Sequence, residues 1–337
     1  MESPALISVI IPTRNRLGFL RESVASVRAQ SFVDWELIVV DDCSQDGTWD
    51  WLQSLDDARI RVLRMDQHKE RSAARNAALR MANGEYVLFL DDDDWLLDGA
   101  LADLFEALQE HDDAIAAVGA RVQVDSDLWV RTPPHPRRRH TRNAWSDALL
   151  GWSPWNGRAL LRLCAVRRAG GWNEAISLSE DYELWLRLVR IGPVVLIPQT
   201  VMACRIHPGQ TLRDGAWPLN IRLGRAAVAG LGAEEAEWAN RNIRFRRFAC
   251  AATYAYLRGR YRLAISLLRR AVRSAPWILW SPVNRGDLTR LGWRCLIGVG
   301  LGRRGIVRLH RAKRTWMYVM QRRRQRSSRG SEPALFR

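Results

Sequence analysis

The feature that most constrains this chain is an alternation, over its first 124 residues, of short β-rich runs with stretches of helical spacing. LISVII (6–11) stops at Pro12, LGFLRESVASVRAQ (17–30) repeats its apolar residues every three or four positions, and ELIVV (36–40) is an unbroken apolar run. TWDWLQSL (48–55), IRVLRM (60–65) and SAARNAALRMA (72–82) read as helix, strand and helix. NGEYVLFL (83–90) sets a turn before another strand, and a helix over 99–110 and a strand over 116–124 close the series. Strand and helix in strict alternation predict an α/β fold, a mainly parallel sheet flanked by helices. Continuous apolar runs are what strands covered on both faces require. In such sheets ligands bind beyond the carboxyl ends of the strands. Two acidic clusters stand at those ends, Asp41-Asp42 and the quartet Asp91-Asp92-Asp93-Asp94.

Four adjacent carboxylates repel one another. A helix cap needs one of them at most, and Asp98 could cap the helix that begins at residue 99. A divalent cation offsets the repulsion. Oxygen donors favour Mg²⁺ or Mn²⁺, ions that keep several waters and bridge to phosphate oxygens. No loop has the spacing of a calcium-binding EF-hand.

Residues 125–156 break the pattern with Pro133, Pro134, Pro136 and RRRHTR (137–142), and are expected to form a long loop over the sheet, a lid or binding element. Beyond Leu212 the sequence reads as helical. Residues 253–276 look like one hairpin of a tetratricopeptide-like unit, and a single copy argues against a solenoid. Charge divides at the same place: residues 1–212 hold 24 Lys and Arg against 30 Asp and Glu, and residues 213–337 hold 28 against 6. Two parts are therefore expected, an α/β domain over 1–212 and a basic, mostly helical extension over 213–337.

The span 303–329 carries eleven basic residues and no acid, with Ile306, Leu309, Trp316, Met317 and Met320 between them, and WILW (277–280) and Trp293 lie upstream. This composition reads as a helix on an anionic membrane surface. Nucleic acid is the rival partner, but no helix-turn-helix, zinc-finger or RNA-recognition signature accompanies the arginines. LIGVGLG (296–302) is far too short to span a bilayer, and the opening residues do not read as a signal peptide. Five scattered cysteines without a C-x-x-C pair predict a reducing, cytoplasmic setting, with peripheral attachment to the cytosolic face of the membrane.

Five segments in order carry a resemblance: SVIIPTRNR (8–16), SVRAQSFVDWELIVVDDCSQDGT (26–48), ARNAALRMANGEYVLFLDDDDW (74–95), GGWNEAISLSEDYELWLRLVRIG (170–192) and CRIHPGQT (204–211). Together they resemble the family 2 glycosyltransferases, with their GT-A nucleotide-diphospho-sugar fold, over about residues 5–212. The resemblance implies inverting transfer of a sugar from a nucleotide-diphosphate donor, by default UDP-linked, to a glycan or lipid-linked acceptor in cell-surface polysaccharide or glycolipid assembly. It places Pro12 and Thr13 against the nucleotide base, Asp42 as acceptor of a hydrogen bond from that base, and Asp41 behind Asp42. Asp91 and Asp93 match the D-x-D motif, with Asp93 the direct metal ligand and Asp91 or Asp92 addressing ribose and metal waters. Arg75 and Asn76 point toward the donor near its phosphates, and His207 matches a position that reaches the metal or diphosphate. Asp181 is the implied general base, with Glu180 beside it among the donor-binding residues. Asp94 receives no role. Trp172 and Arg14 depart from the family's phenylalanine and tyrosine.

Three other readings compete. A sugar nucleotidyltransferase would carry a Gly-rich loop after the first strand, where PTRNRLG (12–18) has one glycine. A dinucleotide oxidoreductase would show G-x-G-x-x-G there. A basic nucleic-acid- or membrane-binding protein on an inactive scaffold would have no need of intact acids.

Overall fold

The computed structural model describes residues 6–124, 129–131, 139–141, 144–149, 154, 156–207, 216–229, 231–258 and 260–276. They fall into two compact units divided between Ile243 and Arg244. The charge asymmetry changes at residue 212, whereas the division by contacts lies inside a long helix.

In the first unit the strands are β1 (Ile7–Thr13), β2 (Trp35–Asp41), β3 (Ile60–Arg64), β4 (Tyr86–Phe89), β5 (Trp95–Leu96), β6 (Ala116–Val124), β7 (Trp129–Arg131), β8 (Arg139–Thr141), β9 (Ala159–Arg162) and β10 (Val194–Arg205). The helices are α1 (Leu17–Arg28), α2 (Thr48–Gln53), α3 (Glu70–Met81), α4 (Ala100–Gln109), α5 (Ala144–Leu149), α6 (Leu163–Arg168), α7 (Glu180–Leu188) and α8 (Ala216–Val228), followed by α9 (Ala233–Leu257), which runs into the second unit. One sheet holds every strand, in the order β3-β2-β1-β4-β9-β6-β10-β5, with β7 added to β6 and β8 to β10.

Strand direction decides where a ligand can sit. β3, β2, β1 and β4 are mutually parallel. β9 runs antiparallel to both β4 and β6, so β6 points the same way as β4, and β10 is parallel to β6. The carboxyl ends of β1, β2, β4, β6 and β10 therefore share one edge despite the reversed strand among them.

Side chains alternate along each strand into two layers. Ile7, Val9 and Ile11 pack with Leu20, Val24 and Val27 of α1 and Leu101 and Leu104 of α4. Ile10, Ile38 and Val40 face the other way, toward Ala74 and Ala78 of α3 and Leu184 and Trp185 of α7. Both faces are covered, which is why the four residues after Glu36, Leu37 to Val40, are all apolar. β6 and β10 approach closely: a Cβ on Gly119 would lie 2.5 Å from Val201 Cγ2.

At the edge opposite the carboxyl ends, buried Glu36 accepts hydrogen bonds from Ser8 Oγ at 2.7 Å, Asn83 N at 2.7 Å and Arg61 Nη1 at 3.1 Å. Gly84 donates to Ser8 Oγ at 3.0 Å, and a Cβ there would meet Ser8 N at 2.7 Å. The turn that NGEYVLFL places before its strand is thus tied to β1 and β2.

The segment expected as one long loop instead contains β7, β8 and α5. The two three-residue strands pair with β6 and β10, whose ladder bonds they complete, and runs so short leave no period in a sequence. In the second unit the expected hairpin is the end of α9 followed by α10 (Tyr261–Ser274), with Ala255 and Ala264 packed against Tyr256, Ile265 and Leu268. WILW, Trp293 and the basic span 303–329 lie outside the described residues. Among the described residues no helix is long and apolar enough to cross a membrane, and Cys43, Cys164, Cys204 and Cys250 are free.

Candidate functional site

The shared edge opens onto a cleft of 580 Å³ whose wall includes Pro12, Thr13, Asp42, Asp91 to Asp94, Arg75, Glu180 and Asp181. Of the residues singled out in the sequence, Asp41, Asn76 and His207 stand outside that wall.

The turn after β4 sends the four aspartates in four directions. Asp91 Oδ1 accepts from Arg75 Nη2 at 2.6 Å and Asn156 Nδ2 at 3.1 Å. Asp92 is bonded to Thr13 Oγ1 at 2.8 Å and Arg16 Nη1 at 3.1 Å. Asp93 Oδ2 lies 2.7 Å from the same Arg16 nitrogen and 3.0 Å from His207 Nε2. Asp94 accepts the backbone N–H of Arg205 at 3.0 Å. Asp91, Asp93 and Asp94 each bring a ligand oxygen into a group spanning 4.8 Å. His207 reaches Asp93 but is not part of that group, and its ring packs on Phe19 with centroids 4.9 Å apart.

The electrostatics of the turn are unbalanced. Burial opposes charge on Asp91, yet the Arg75 guanidinium beside it holds its carboxyl below the usual range. Burial pushes Asp92 up to about 6; Arg16 pulls the other way and Asp93 adds to the rise. Burial, together with Asp91 and Asp93, pushes Asp94 well above the usual carboxylate range. The cations at hand do not fully stabilise four ionised groups, so further positive charge is favoured here.

At the end of β2, Asp42 Oδ2 lies 2.6 Å from His68 Nδ1, and Oδ1 accepts the Lys69 N–H at 2.9 Å. His68 Nε2 meets Arg14 Nη1 at 2.7 Å. Glu70 Oε1 stands 3.3 Å from the same Nε2, so His68 links Asp42 to both Arg14 and Glu70. Asp41, fully buried, accepts Ser44 N at 2.9 Å and faces Arg64 at 3.6 Å, which shapes the loop behind Asp42.

Arg75 and Asn76, adjacent in sequence, part ways: Arg75 lines the cleft and Asn76 does not. Arg75, 1% exposed, ion-pairs with Asp91 and, at 3.2 Å, with Glu180. Asn76 turns away and exchanges bonds of 2.9 Å with both the N–H and C=O of Trp172. Gly171 is required there: its φ is +68°, and a Cβ would come within 2.8 Å of Asn76 Oδ1. Helix periodicity cannot distinguish a side chain aimed at a ligand from one aimed at a neighbouring segment.

α7 begins at Glu180, so Asp181 sits in its first turn and lines the cleft. No side chain caps this helix through Ser179, nor does one cap α4 through Gly99. Among the described residues the non-glycine positions with positive φ are Asn15, Cys43, Glu70 and Ser179, all within a residue of the cleft wall or part of it. Such backbone costs on the order of 1–3 kcal/mol each and gathers where side chains are held for function.

Arg16, His68, Arg71 and Asn156, to which the sequence assigned no role, also line the cleft. Each is an isolated polar residue without period or motif. Only the basic residues of PTRNR, directly after the first strand, could have drawn attention to Arg16.

A family model described as glycosyl transferase family 2 matches residues 8–165. The putative teichuronic acid biosynthesis glycosyltransferase TuaG of Bacillus subtilis is 41% identical over 116 residues, 34% of this chain and 46% of that protein. The GalNAc(5)-diNAcBac-PP-undecaprenol beta-1,3-glucosyltransferase of Campylobacter jejuni is 43% identical over 107 residues, 31% of this chain and 35% of that one. The chain thus spans less than half the length of either relative. The crystal structure of S. aureus TarS 1-349 in complex with UDP-GlcNAc is similar in fold, with a TM-score of 0.63 at 20% identity, covering 80% of this chain and 82% of that one.

Proposed function

Because residues 8–165 belong to glycosyl transferase family 2, we propose that the chain transfers a sugar from a nucleotide-diphosphate donor to an acceptor hydroxyl, with inversion at the anomeric carbon. The observation that carries the reading is the meeting, in one cleft, of a carboxylate triad with a separate carboxylate, Asp181, at a helix start. Leaving-group stabilisation and proton removal need different groups, and the cleft holds both.

A sugar hydroxyl is a weak nucleophile at neutral pH. Asp181 takes its proton as the new bond forms, which removes the need for a free alkoxide. Asp42, fixed from both sides by His68 and Lys69, accepts a hydrogen bond from the nucleotide base, and Pro12 and Thr13 complete that wall. The donor set of Asp91, Asp93 and Asp94, all hard oxygens, fits Mn²⁺ or Mg²⁺. An ion held there would offset charge on the departing diphosphate. His207, bonded to Asp93, orients that ligand or joins it.

A UDP-linked donor is supported by the UDP-GlcNAc complex of the fold neighbour, and a lipid-linked acceptor by the undecaprenol-linked substrate named for the Campylobacter relative. Teichuronic acid in the name of the Bacillus relative supports a role in cell-surface polysaccharide or glycolipid synthesis. Such acceptors lie at a bilayer, which the basic span 303–329 suits as a peripheral contact with anionic lipid on the cytosolic face. Sedimentation with phosphatidylglycerol vesicles but not phosphatidylcholine vesicles is the expected result for the full chain.

The test of the reaction is a screen of nucleotide sugars with undecaprenyl-diphosphate-linked sugar acceptors and Mn²⁺ or Mg²⁺, following product by mass and anomeric configuration by NMR. Chelation removes activity and either ion restores it. Product that retains the donor's configuration would overturn the assigned role of Asp181.

A further inference from the structure

One group in the cleft wall touches both halves of the proposed chemistry. Arg75 Nη2 holds Asp91 Oδ1 at 2.6 Å, and Nη1 holds Glu180 Oε1 at 3.2 Å. Asp91 belongs to the carboxylate triad, and Glu180 opens the helix on which Asp181 is the next residue. A single positive charge is thus divided between two carboxylates on different elements. Arg75 and Glu180 are 1% and 5% exposed, so solvent screens little of this sharing.

The guanidinium has a fixed pivot. It lies over the Trp172 ring, 4.3 Å from its centroid, and the backbone of Trp172 is pinned by the paired bonds from Asn76 on the same helix as Arg75. Movement of Arg75 is therefore restricted to how it shares its charge. Arg71 also approaches Glu180, at 3.7 Å, but it is 39% exposed and makes the weaker contact.

We propose that Glu180 acts through Arg75 as a positioning residue that sets how freely Asp91 can hold a cation, tying the cation site to the start of the helix that bears Asp181. This deepens the proposed function and rests on its metal site. An ion can engage Asp91 only as far as Arg75 releases it. With Glu180 ionised beside it, Arg75 keeps a buried counter-charge when Asp91 turns to the ion. Without that carboxylate the buried guanidinium keeps only the half-exposed Asp91 as a close ionic partner, and it holds on to it because stranding a buried charge is strongly unfavourable. Conversely, an ion on Asp91 shifts Arg75 toward Glu180 and draws on the first turn of α7, whose lead-in residue Ser179 has a φ of +62°. Glu180 contributes no oxygen to the triad, yet its charge governs the triad's affinity.

The experiment is calorimetric titration of the full chain with MnCl₂, without donor or acceptor, for wild type, Glu180→Gln, Glu180→Asp and Asp91→Asn, with melting curves to verify folding. Glu180→Gln weakens Mn²⁺ binding about tenfold, as expected for loss of one neighbouring charge. Glu180→Asp, which restores the charge, binds within about threefold of wild type. In an Asp91→Asn background, Glu180→Gln causes no further loss, since both changes act on one linkage. If Glu180→Gln does not fold, Glu180→Ala, which also removes the charge, with and without Asp91→Asn carries the same comparison. An unchanged affinity in Glu180→Gln, or an equal loss added to that of Asp91→Asn, overturns this inference and leaves the metal site standing. A wild-type chain that binds neither Mn²⁺ nor Mg²⁺ overturns both.

Discussion

The two edges of the sheet bury the same chemistry to opposite ends. At one edge Glu36 accepts three hydrogen bonds, from a hydroxyl, a backbone amide and an arginine. At the other, four aspartates share Arg16, Arg75, His207 and a few neutral donors, and two of them are pushed upward in pKa. Non-glycine residues with positive φ follow the same division: all four border the cleft, and none lies in the described loops at the Glu36 edge. A buried acid with enough donors holds strands together. Buried acids with too few hold a place for a cationic ligand, at the expense of local stability.

Four changes test that contrast. The largest effect belongs to Asp181→Ala, which is expected to lower turnover by about a thousandfold, within the range for loss of a general base, while leaving the melting temperature near wild type. Normal turnover in this variant removes the base from the argument. At the other edge, Glu36→Ala strands the Ser8 hydroxyl and the Asn83 amide and costs about 2–4 kcal/mol of stability, measured by urea unfolding, with no change in the affinity of the folded protein for donor. Were donor affinity to fall as stability did, the edges would not be independent.

The third change is in pH. Asp92 titrates near 6 in the folded, metal-free protein and about 3.9 when unfolded, so the folded state binds more protons between those values. Its contribution is complete below the unfolded value and is lost as pH rises through 6. Chelator-treated protein should therefore be less stable at pH 7.5 than at pH 5 by roughly 1–1.5 kcal/mol, and Asp92→Asn should flatten the profile. A profile that stays steep in that variant assigns the effect to other groups. Smallest is Ser179→Gly, which relieves a left-handed backbone but loosens the unfolded chain, for a net change below about 1 kcal/mol by urea unfolding. A large loss there would mean that the Ser179 side chain itself holds α7.

What the sequence disclosed follows from this contrast. Long apolar runs and three-to-four spacing located β1, β2, α1 and α3, because burial on both faces leaves a pattern in residue type. The quartet was visible because four like charges in succession are rarely compatible with an ordinary turn. β9 was not visible: ALLR is four residues long, and its reversal is set by partners far away in the chain. The division of labour within ARN was likewise hidden, since whether Asn76 faces a ligand or Trp172 depends on where the GGW segment docks. His68 and Arg16 are lone residues whose significance comes from Asp42 and Asp93, 26 residues before and 77 residues after them respectively.

The reversed strand has one more implication. Because β9 enters the sheet at the edge where β6 leaves it, the chain between Val124 and Asn156 departs from the rim of the cleft and comes back to it. That insert is nonetheless tied to the body of the fold, by β7 on β6, by β8 on β10 and by the Tyr182 hydroxyl donating to Ala148 O at 2.9 Å. In the proposed reaction the half built from β1, β2 and β4 meets the nucleotide, while the insert begins and ends beside the cleft, next to Gln123 and Asn156. A chimera aimed at the acceptor side must therefore carry β6 and β10 along with the insert that pairs to them.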